Sequence, residues 1–568
     1  MSQLTRLPVL LLLAAAARLA AQGPAYHLDV RTDPGQAVWI AMGPDLAPPV
    51  TIPGVDGLLR VSGPATVVWT GAVADARGKS RTPLPAFAFA PGYRWHAQIA
   101  GLDAQGFRLT QPFRVDGDGI AGPRAASPFG MPLDSVQAPD APGAPRPAVV
   151  QRHLLSGDTT FVVDARRAPP PLQREPGRPG ALARTGTPPE QADMGGLSIV
   201  DLADVDTFPF SAAVKLFMTF PGDPSHYYEG SGVLIDPDHV LTAGHCAYDK
   251  DLGGHADKIW VVPAYSASGE STNVPWITAM TAWGGQEPFG HSDVVEVQTW
   301  SDWRSDRDFK HDVAVLELNR PVGALAGWMG IAYQLDCDFY QENTFYVRGY
   351  PAEGPYDGSR LYTQSGAFDS CPTKWEARFD QPSYGGSSGS GVYDYDAGER
   401  WVHGVLSHAP GWYPNKTDVV RLRDEKYDDI RDWMNEHRGT VVDLTPLAVR
   451  FNEAVYASAP TSVSRGSSYA FEFTVLNYSR VARSGGLTYT WRLSTNDTIS
   501  SGDTLLGSVT KTSVPVGALE ILDLHDSLSI PSSIAAGTYY LGVILTTSDA
   551  RSGNQITLAQ DVLKLTVR

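Results

Sequence analysis

The sequence predicts an all-β protein of several domains, built from short strands between Gly- and Pro-rich turns. Three observations carry this. The chain has 568 residues, more than one hydrophobic core holds, so three to four domains are expected. Its 56 glycines and 44 prolines favour turn-rich β structure over helical bundles. The apolar segments are short, and several alternate with period two, as in Val214, Leu216, Met218 and Phe220.

The composition, 42% hydrophobic and 19% charged, is that of ordinary globular protein. A net charge of −17 argues against nucleic-acid partners and against an anionic membrane surface. At the N-terminus Arg6 precedes an apolar run over 7–17, followed by Arg18-Leu19-Ala20-Ala21. Residues 1–21 read as a signal peptide, which predicts a secreted, extracellular or cell-envelope protein. That run is too short for a membrane span, and no later run reaches about 18 apolar residues, so no transmembrane segment is expected. There are 3 cysteines. Cys337 and Cys371 are candidates to pair with each other in an oxidising compartment. The spacings match no zinc pattern, so neither metal nor cofactor is expected.

Residues 22–120 read as a small β domain, with strands over 37–42, 65–70 and 94–99. It carries no chemical constellation. From 121 to 195 the composition shifts, with Pro169-Pro170-Pro171 and Arg174-Glu175-Pro176-Gly177-Arg178-Pro179-Gly180. This stretch reads as a linker or propeptide whose arginines are open to proteolysis.

Regular alternation begins at Ser211. A second apolar run over 231–235 meets the turn Asp236-Pro237-Asp238, and a strand then stops at Thr242-Ala243-Gly244-His245-Cys246. A histidine at a strand end can be aimed into a cleft by its loop, although a lone histidine is as well explained by structure. Asp312, in Lys310-His311-Asp312, stands before the apolar run 313–318, where it serves equally as a strand cap. Tyr384-Gly385-Gly386-Ser387-Ser388-Gly389-Ser390-Gly391 is either a flexible linker or a sharp turn. As a turn it exposes a serine hydroxyl and points backbone N–H groups inward, the geometry acyl transfer needs. A strand over 402–407 and a Gly/Pro loop lead into 424–437, which has helical spacing. Tyr427, Ile430, Trp433, Met434 and His437 share its inner face, and Asp424 is a plausible N-cap.

Histidine after a strand, aspartate before a strand and serine in a Gly-rich turn, in that order, resemble the chymotrypsin-like serine proteases. Val240-Leu241-Thr242-Ala243-Gly244-His245-Cys246 resembles the segment of their base, and His311-Asp312-Val313-Ala314-Val315-Leu316 that of their aspartate. Gly386-Ser387-Ser388-Gly389-Ser390 and Gly349-Tyr350-Pro351 look like the bacterial glutamyl endopeptidase branch. The resemblance covers 196–440. It implies two six-stranded antiparallel β-barrels with a closing helix, acting on protein or peptide substrates. It also implies His245 as base, Asp312 as its support, Ser388 as nucleophile, and the N–H groups of Gly386 and Ser388 as oxyanion hole. Two departures stand out. Trypsin-like zymogens carry an aspartate before the nucleophile to grip the newly cut N-terminus, and here that position is Ser387. Cys246 has no partner in the strand 231–235 and is expected to be a free thiol.

The same resemblance maps a specificity pocket onto Ser383, Leu406, Ser407, His408, Ala409 and Asp418. Where glutamyl members carry a histidine, two residues after a glycine, this chain has Leu406, and His408 reaches that site only if the strand register shifts. Asp418 favours a basic substrate residue if it points inward, and is a loop charge if it points outward. An apolar or basic residue before the scissile bond is expected. Over 446–568, the runs Phe471-Glu472-Phe473-Thr474-Val475 and Tyr489-Thr490-Trp491-Arg492-Leu493 resemble a CARDB-type immunoglobulin-like β-sandwich. Such modules serve adhesion or spacing, which implies contact with a cell surface or extracellular polymer. The competing reading is a catalytically inactive adhesion protein built on a protease-like barrel. An α/β-hydrolase is excluded by the order of the three residues.

Overall fold

A computed structural model describes, with side chains, residues 151–154, 176–183, 196–267, 286–410, 415–436, 438–439, 441–456, 458–546 and 554–568. Elsewhere between 26 and 164 it describes only strand backbones. The N-terminal part has strands at Ala37–Gly43, Val67–Val73 and Trp95–Asp103, with the first lying between the other two in one sheet. The expected signal peptide lies outside the described residues.

The first barrel is built from Ala213–Phe220 (β2), Asp223–Leu234 (β3), His239–Thr242 (β4), Lys258–Pro263 (β5), Ser292–Trp300 (β6) and Ala314–Leu318 (β7), with Val149–His153 (β1) outside it. The ladder runs β5-β2-β3-β4-β7-β6, and pairing of Trp260 with Asp293 and Val261 with Ser292 closes it. Both faces of β2 are buried. Val214, Leu216, Met218 and Phe220 fill the barrel. Ala213 and Phe217 pack outward with Val262, Tyr265 and Tyr350. Period two thus sorts one strand into two cores.

The second sheet comprises Phe345–Gly349 (β8), Tyr362–Gly366 (β9), Phe368–Ser370 (β10), Glu376–Phe379 (β11), Gly391–Asp396 (β12), Glu399–His408 (β13) and Thr417–Arg421 (β14). Its order is β9-β8-β12-β13-β14-β11-β10. The expected second closed barrel is instead a half-barrel. One bent segment, interrupted at Ala367, supplies β9 and β10, Ser198–Ile199 pairs beyond β9 as the edge, and the chain rather than a ladder joins β9 to β10. Helix α1 spans Asp424–Met434 and buries Tyr427, Ile430, Trp433 and Met434, with Trp433 against Trp300 at 5.1 Å between ring centroids. Arg423, not Asp424, is its cap residue, so Asp424 is the first helical residue and its carboxylate complements the N-terminal end of the helix dipole. His437 lies outside the described residues.

Among the described residues, three flanking segments reach the barrels. Inside the stretch expected to be linker, β1 is a strand, and it pairs with β6 from Val149–Trp300 to His153–Glu296. The Pro/Arg-rich piece 176–183 is docked by its backbone on the connection between the barrels. Arg178 N donates to Trp328 O at 2.8 Å and Trp328 N to Arg178 O at 2.9 Å, while Ala181 N donates to Ala324 O at 2.8 Å. Ala183 is buried in the barrel core with Ala181 and Leu182 packed against it, so backbone hydrogen bonds and a short apolar run together hold the piece in place.

Beyond α1, Leu444–Phe451 (β15), Ser468–Asn477 (β16), Leu487–Ser494 (β17), Thr504–Lys511 (β18), Ile521–Ser529 (β19), Gly537–Leu545 (β20) and Leu563–Val567 (β21) form two antiparallel sheets. Their orders are β15-β16-β19 and β18-β17-β20-β21. One core containing Phe471, Phe473, Tyr489, Trp491 and Val543 joins them. This sandwich is the third flanking segment, and Tyr478 donates to Asp238 of the first barrel at 2.7 Å. Arg320 Nε and Nη2 donate to Asp561 Oδ2 and Oδ1 at 2.8 and 2.7 Å, fully buried.

Candidate active site

His245 follows β4 on a single turn of helix over Gly244–Ala247. Its Nδ1 lies 2.8 Å from Asp312 Oδ2, and its backbone N donates to Asp312 Oδ1 at 2.7 Å. Both carboxylate oxygens are therefore engaged by one residue. This needs a glycine at 244, since a Cβ there would stand 3.0 Å from Asp312 Oδ1 and 2.9 Å from the Trp303 ring. Asp312 is completely buried, whereas the His245 side chain is 30% exposed. The carboxylate is enclosed and the imidazole is partly open to solvent.

Burial disfavours a charged imidazole, but Asp312, with the neighbouring Cys246 thiol, outweighs it and holds His245 well above the usual histidine range. Burial likewise opposes the Asp312 charge, and His245 together with the Ser407 hydroxyl overcomes this, leaving the carboxyl below its ordinary value. Ser407 Oγ donates to Asp312 Oδ2 at 2.6 Å. The specificity-pocket assignment of Ser407 is thus incomplete, because its hydroxyl braces the aspartate. Sequence alone carried no signal for this contact, made across 95 positions.

The Ser388 turn is pressed against the same strand end. Ser231 N donates to Ser388 O at 2.9 Å, and Cys246, a buried free thiol, places Sγ 3.7 Å from that oxygen. Gly389 has φ +85°, and a Cβ on it would lie 2.1 Å from Thr242 Oγ1, so only glycine lets the turn approach. Ser388 is half-buried between fully buried Ser387 and Gly389. Among the described residues neither the Gly386 nor the Ser388 amide donates to another group. The structure thus brings together a partly exposed imidazole backed by a carboxylate, and a serine turn with two unspent donors.

The remaining predicted residues are dispersed. Leu406 is 1% exposed and packs in the half-barrel core with Val419, Ala377 and Phe379. The strand register does shift, between Leu406 and His408. The bulge sets His408 opposite Asp418, with its ring 4.1 Å from that of Phe309 and Nδ1 3.0 Å from Ser407 Oγ. Asp418 is neither a loop charge nor an unpaired anion. It lies within β14, and Arg378 of β11 grips both oxygens at 2.8 and 3.0 Å. Ser383 is half-buried and Ala409 exposed. Cys337 and Cys371 form a disulfide with Cα atoms 6.0 Å apart.

For cations, the chemically suitable group among the described residues is Asp236, Asp238 and His239, buried together. Its carboxylates are already served: Arg438 contacts Asp236, Tyr478 donates to Asp238 at 2.7 Å, and His239 Nδ1 lies 2.9 Å from Asp238. The described residues contain no helix long and apolar enough to cross a membrane.

Residues 230–404 match the family profile of the trypsin-like peptidase domain. The chain is 26% identical over 210 residues to a glutamyl endopeptidase of Bacillus licheniformis, covering 36% of this chain and 59% of that protein. It is 24% identical over 237 residues to an extracellular metalloprotease of Bacillus subtilis, covering 41% of this chain and 67% of that protein. The chain therefore spans about three fifths to two thirds of the length of these relatives. Among solved structures, a Glu endopeptidase in complex with MPD aligns with TM-score 0.33 and 20% identity, over 43% of this chain and 98% of its own. The protease Anisep from Arthrobacter nicotinovorans aligns with TM-score 0.31 and 21% identity, over 37% and 90%.

Proposed function

We propose that this chain is a secreted serine endopeptidase that cleaves peptide bonds through an acyl-enzyme. The observation that carries the reading is the buried Asp312 carboxylate bonded at 2.8 Å to His245 Nδ1, which assigns Nε2 to proton exchange with Ser388. Ser388 Oγ attacks the scissile carbonyl carbon while its proton passes to His245 Nε2. The C=O π electrons move to oxygen, and that oxyanion accepts from the Gly386 and Ser388 N–H groups. Asp312 stabilises the imidazolium. His245 then protonates the leaving amine as the C–N bond breaks. Water, deprotonated by His245, attacks the acyl carbon in the same way and frees Ser388. The match to the peptidase domain supports the reaction class, and the names of the two relatives agree with proteolysis. Export rests on the N-terminal apolar run and the extracellular relative.

The test is labelling with a serine-directed fluorophosphonate followed by peptide mapping, alongside Ser388→Ala. Modification at Ser388 and a rate loss of roughly 10⁴-fold or more in the alanine variant are expected. An unlabelled chain that hydrolyses no peptide would leave the inactive adhesion protein as the reading.

A further inference from the structure

Because a peptide unit is planar and trans, its N–H points opposite to its own carbonyl. The direction of the Ser388 N–H is therefore set by whatever holds the Ser387 carbonyl, and that of the Gly386 N–H by whatever holds the Gly385 carbonyl. The first is held within the turn, where Ser387 O accepts from Ser390 N at 3.1 Å and from Ser390 Oγ at 2.7 Å. The second is held from outside. Ala352 N donates to Gly385 O at 2.6 Å, and Gly385 N donates to Glu353 Oε2 at 2.7 Å. Both ends of Gly385 are thus gripped by one short loop.

That loop is itself braced. Gly358 N donates to Pro351 O at 2.8 Å, and Gly358 O accepts from Lys215 Nζ at 2.9 Å. Lys215 is fully buried and pairs with Glu229 at 2.6 Å. Ser231 Oγ bridges from β3, accepting from Tyr350 N at 2.9 Å and donating to Gly386 O at 2.8 Å.

We propose that Glu353 is a positioning residue for the oxyanion hole. The Ala352 N–H holds the carbonyl of the Gly385–Gly386 peptide and Glu353 holds the N–H of the peptide before it, so together they fix the φ and ψ of Gly385, on which the direction of the Gly386 N–H depends. The proposal rests on the peptidase reading above. It answers a question the sequence raises, since Ser387 offers no carboxylate for a new N-terminus to grip. A Gly-Gly peptide rotates at low steric cost. Without the Glu353 carboxylate the Tyr384–Gly385 peptide loses its anchor, and the Ala352 N–H alone opposes rotation of the Gly385 carbonyl to a position where it repels a developing oxyanion.

The experiment compares full-length wild type, Glu353→Ala, Glu353→Gln and Glu353→Lys for kcat, KM, melting temperature and affinity for a peptide boronate, whose tetrahedral adduct fills the oxyanion hole. Glu353 is exposed, so its truncation removes little packing. Glu353→Ala should lower kcat by roughly 10- to 100-fold, with KM and melting temperature unchanged and boronate affinity falling in parallel. Glu353→Lys should lose at least as much. Glu353→Gln keeps an acceptor oxygen and should stay within severalfold of wild type. Wild-type kcat and boronate affinity in both the alanine and lysine variants would overturn the proposal, as would a glutamine variant no better than alanine. A wild-type chain that is neither labelled at Ser388 nor active would instead overturn the peptidase reading, a result independent of the variants.

Discussion

Substituting Asp561 tests whether the C-terminal sandwich is an appendage or part of the folded unit. Asp561 reaches across 241 positions to take two charge-assisted hydrogen bonds from Arg320, at 2.8 and 2.7 Å. Its Oδ1 also accepts from Ala448 N at 2.9 Å, where β15 bulges and Ala448 takes φ +48°. Both side chains are at most 2% exposed. Asp561→Ala would strand a buried guanidinium whose remaining partner is Phe289 O at 2.8 Å. Breaking one side of such a pair costs about 3–5 kcal/mol. For a unit of about 370 residues that lowers the melting temperature by roughly 4–6 °C. Replacing both partners, as in Arg320→Met with Asp561→Leu, should recover most of the loss, because no charge is left buried. The assay is thermal and urea unfolding of the single and double variants as a double-mutant cycle. Stability of Asp561→Ala within about 1 kcal/mol of wild type would refute the reasoning and return the sandwich to the status of an independent module.

Two further outcomes are expected. The proposed base is active only when neutral, and Asp312 favours its protonated form, so the acid limb of kcat/KM should lie above the ordinary histidine value of about 6.5. By the same sign, the stability contributed by the protonated pair is present at low pH and lost as pH rises through the folded value. A plateau already reached below about pH 6 would contradict this. On specificity, Asp418 is paired with Arg378, so the basic preference drops out. The register shift meets the condition for His408 to reach the pocket, so a substrate carboxylate has a cationic partner there and Glu should be cleaved alongside apolar residues; cleavage-site profiling of a denatured proteome that returned mainly Arg or Lys would refute it.

Much of the candidate site was legible because its signals are local. His245 ends a strand, Asp312 precedes one, and Ser388 sits in a glycine-rich turn. Such features depend on backbone preferences over a few residues, which the order of side chains expresses directly. Helix α1 was legible for the same reason, since its buried face recurs at helical spacing. Its start was misplaced by one residue because terminal capping depends on geometry that periodicity does not report.

What only the tertiary structure decided are contacts between distant residues whose partners carry no mutual mark in the sequence. Ser407 on Asp312, Arg378 on Asp418, Glu353 on Gly385 and Arg320 on Asp561 are each set by sheet register and by how two layers dock. The bulge between Leu406 and His408 shows why. One extra residue in a ladder reverses which side chains face the core. Here it places Ser407 under the aspartate and His408 over Asp418, and strand propensity does not predict it. The docking of 176–183 was hidden for a related reason. Composition averaged over the stretch hides that Ala181, Leu182 and Ala183 pack on the barrel core while the backbone of 178–183 hydrogen-bonds to a partner that exists only once the barrels have folded.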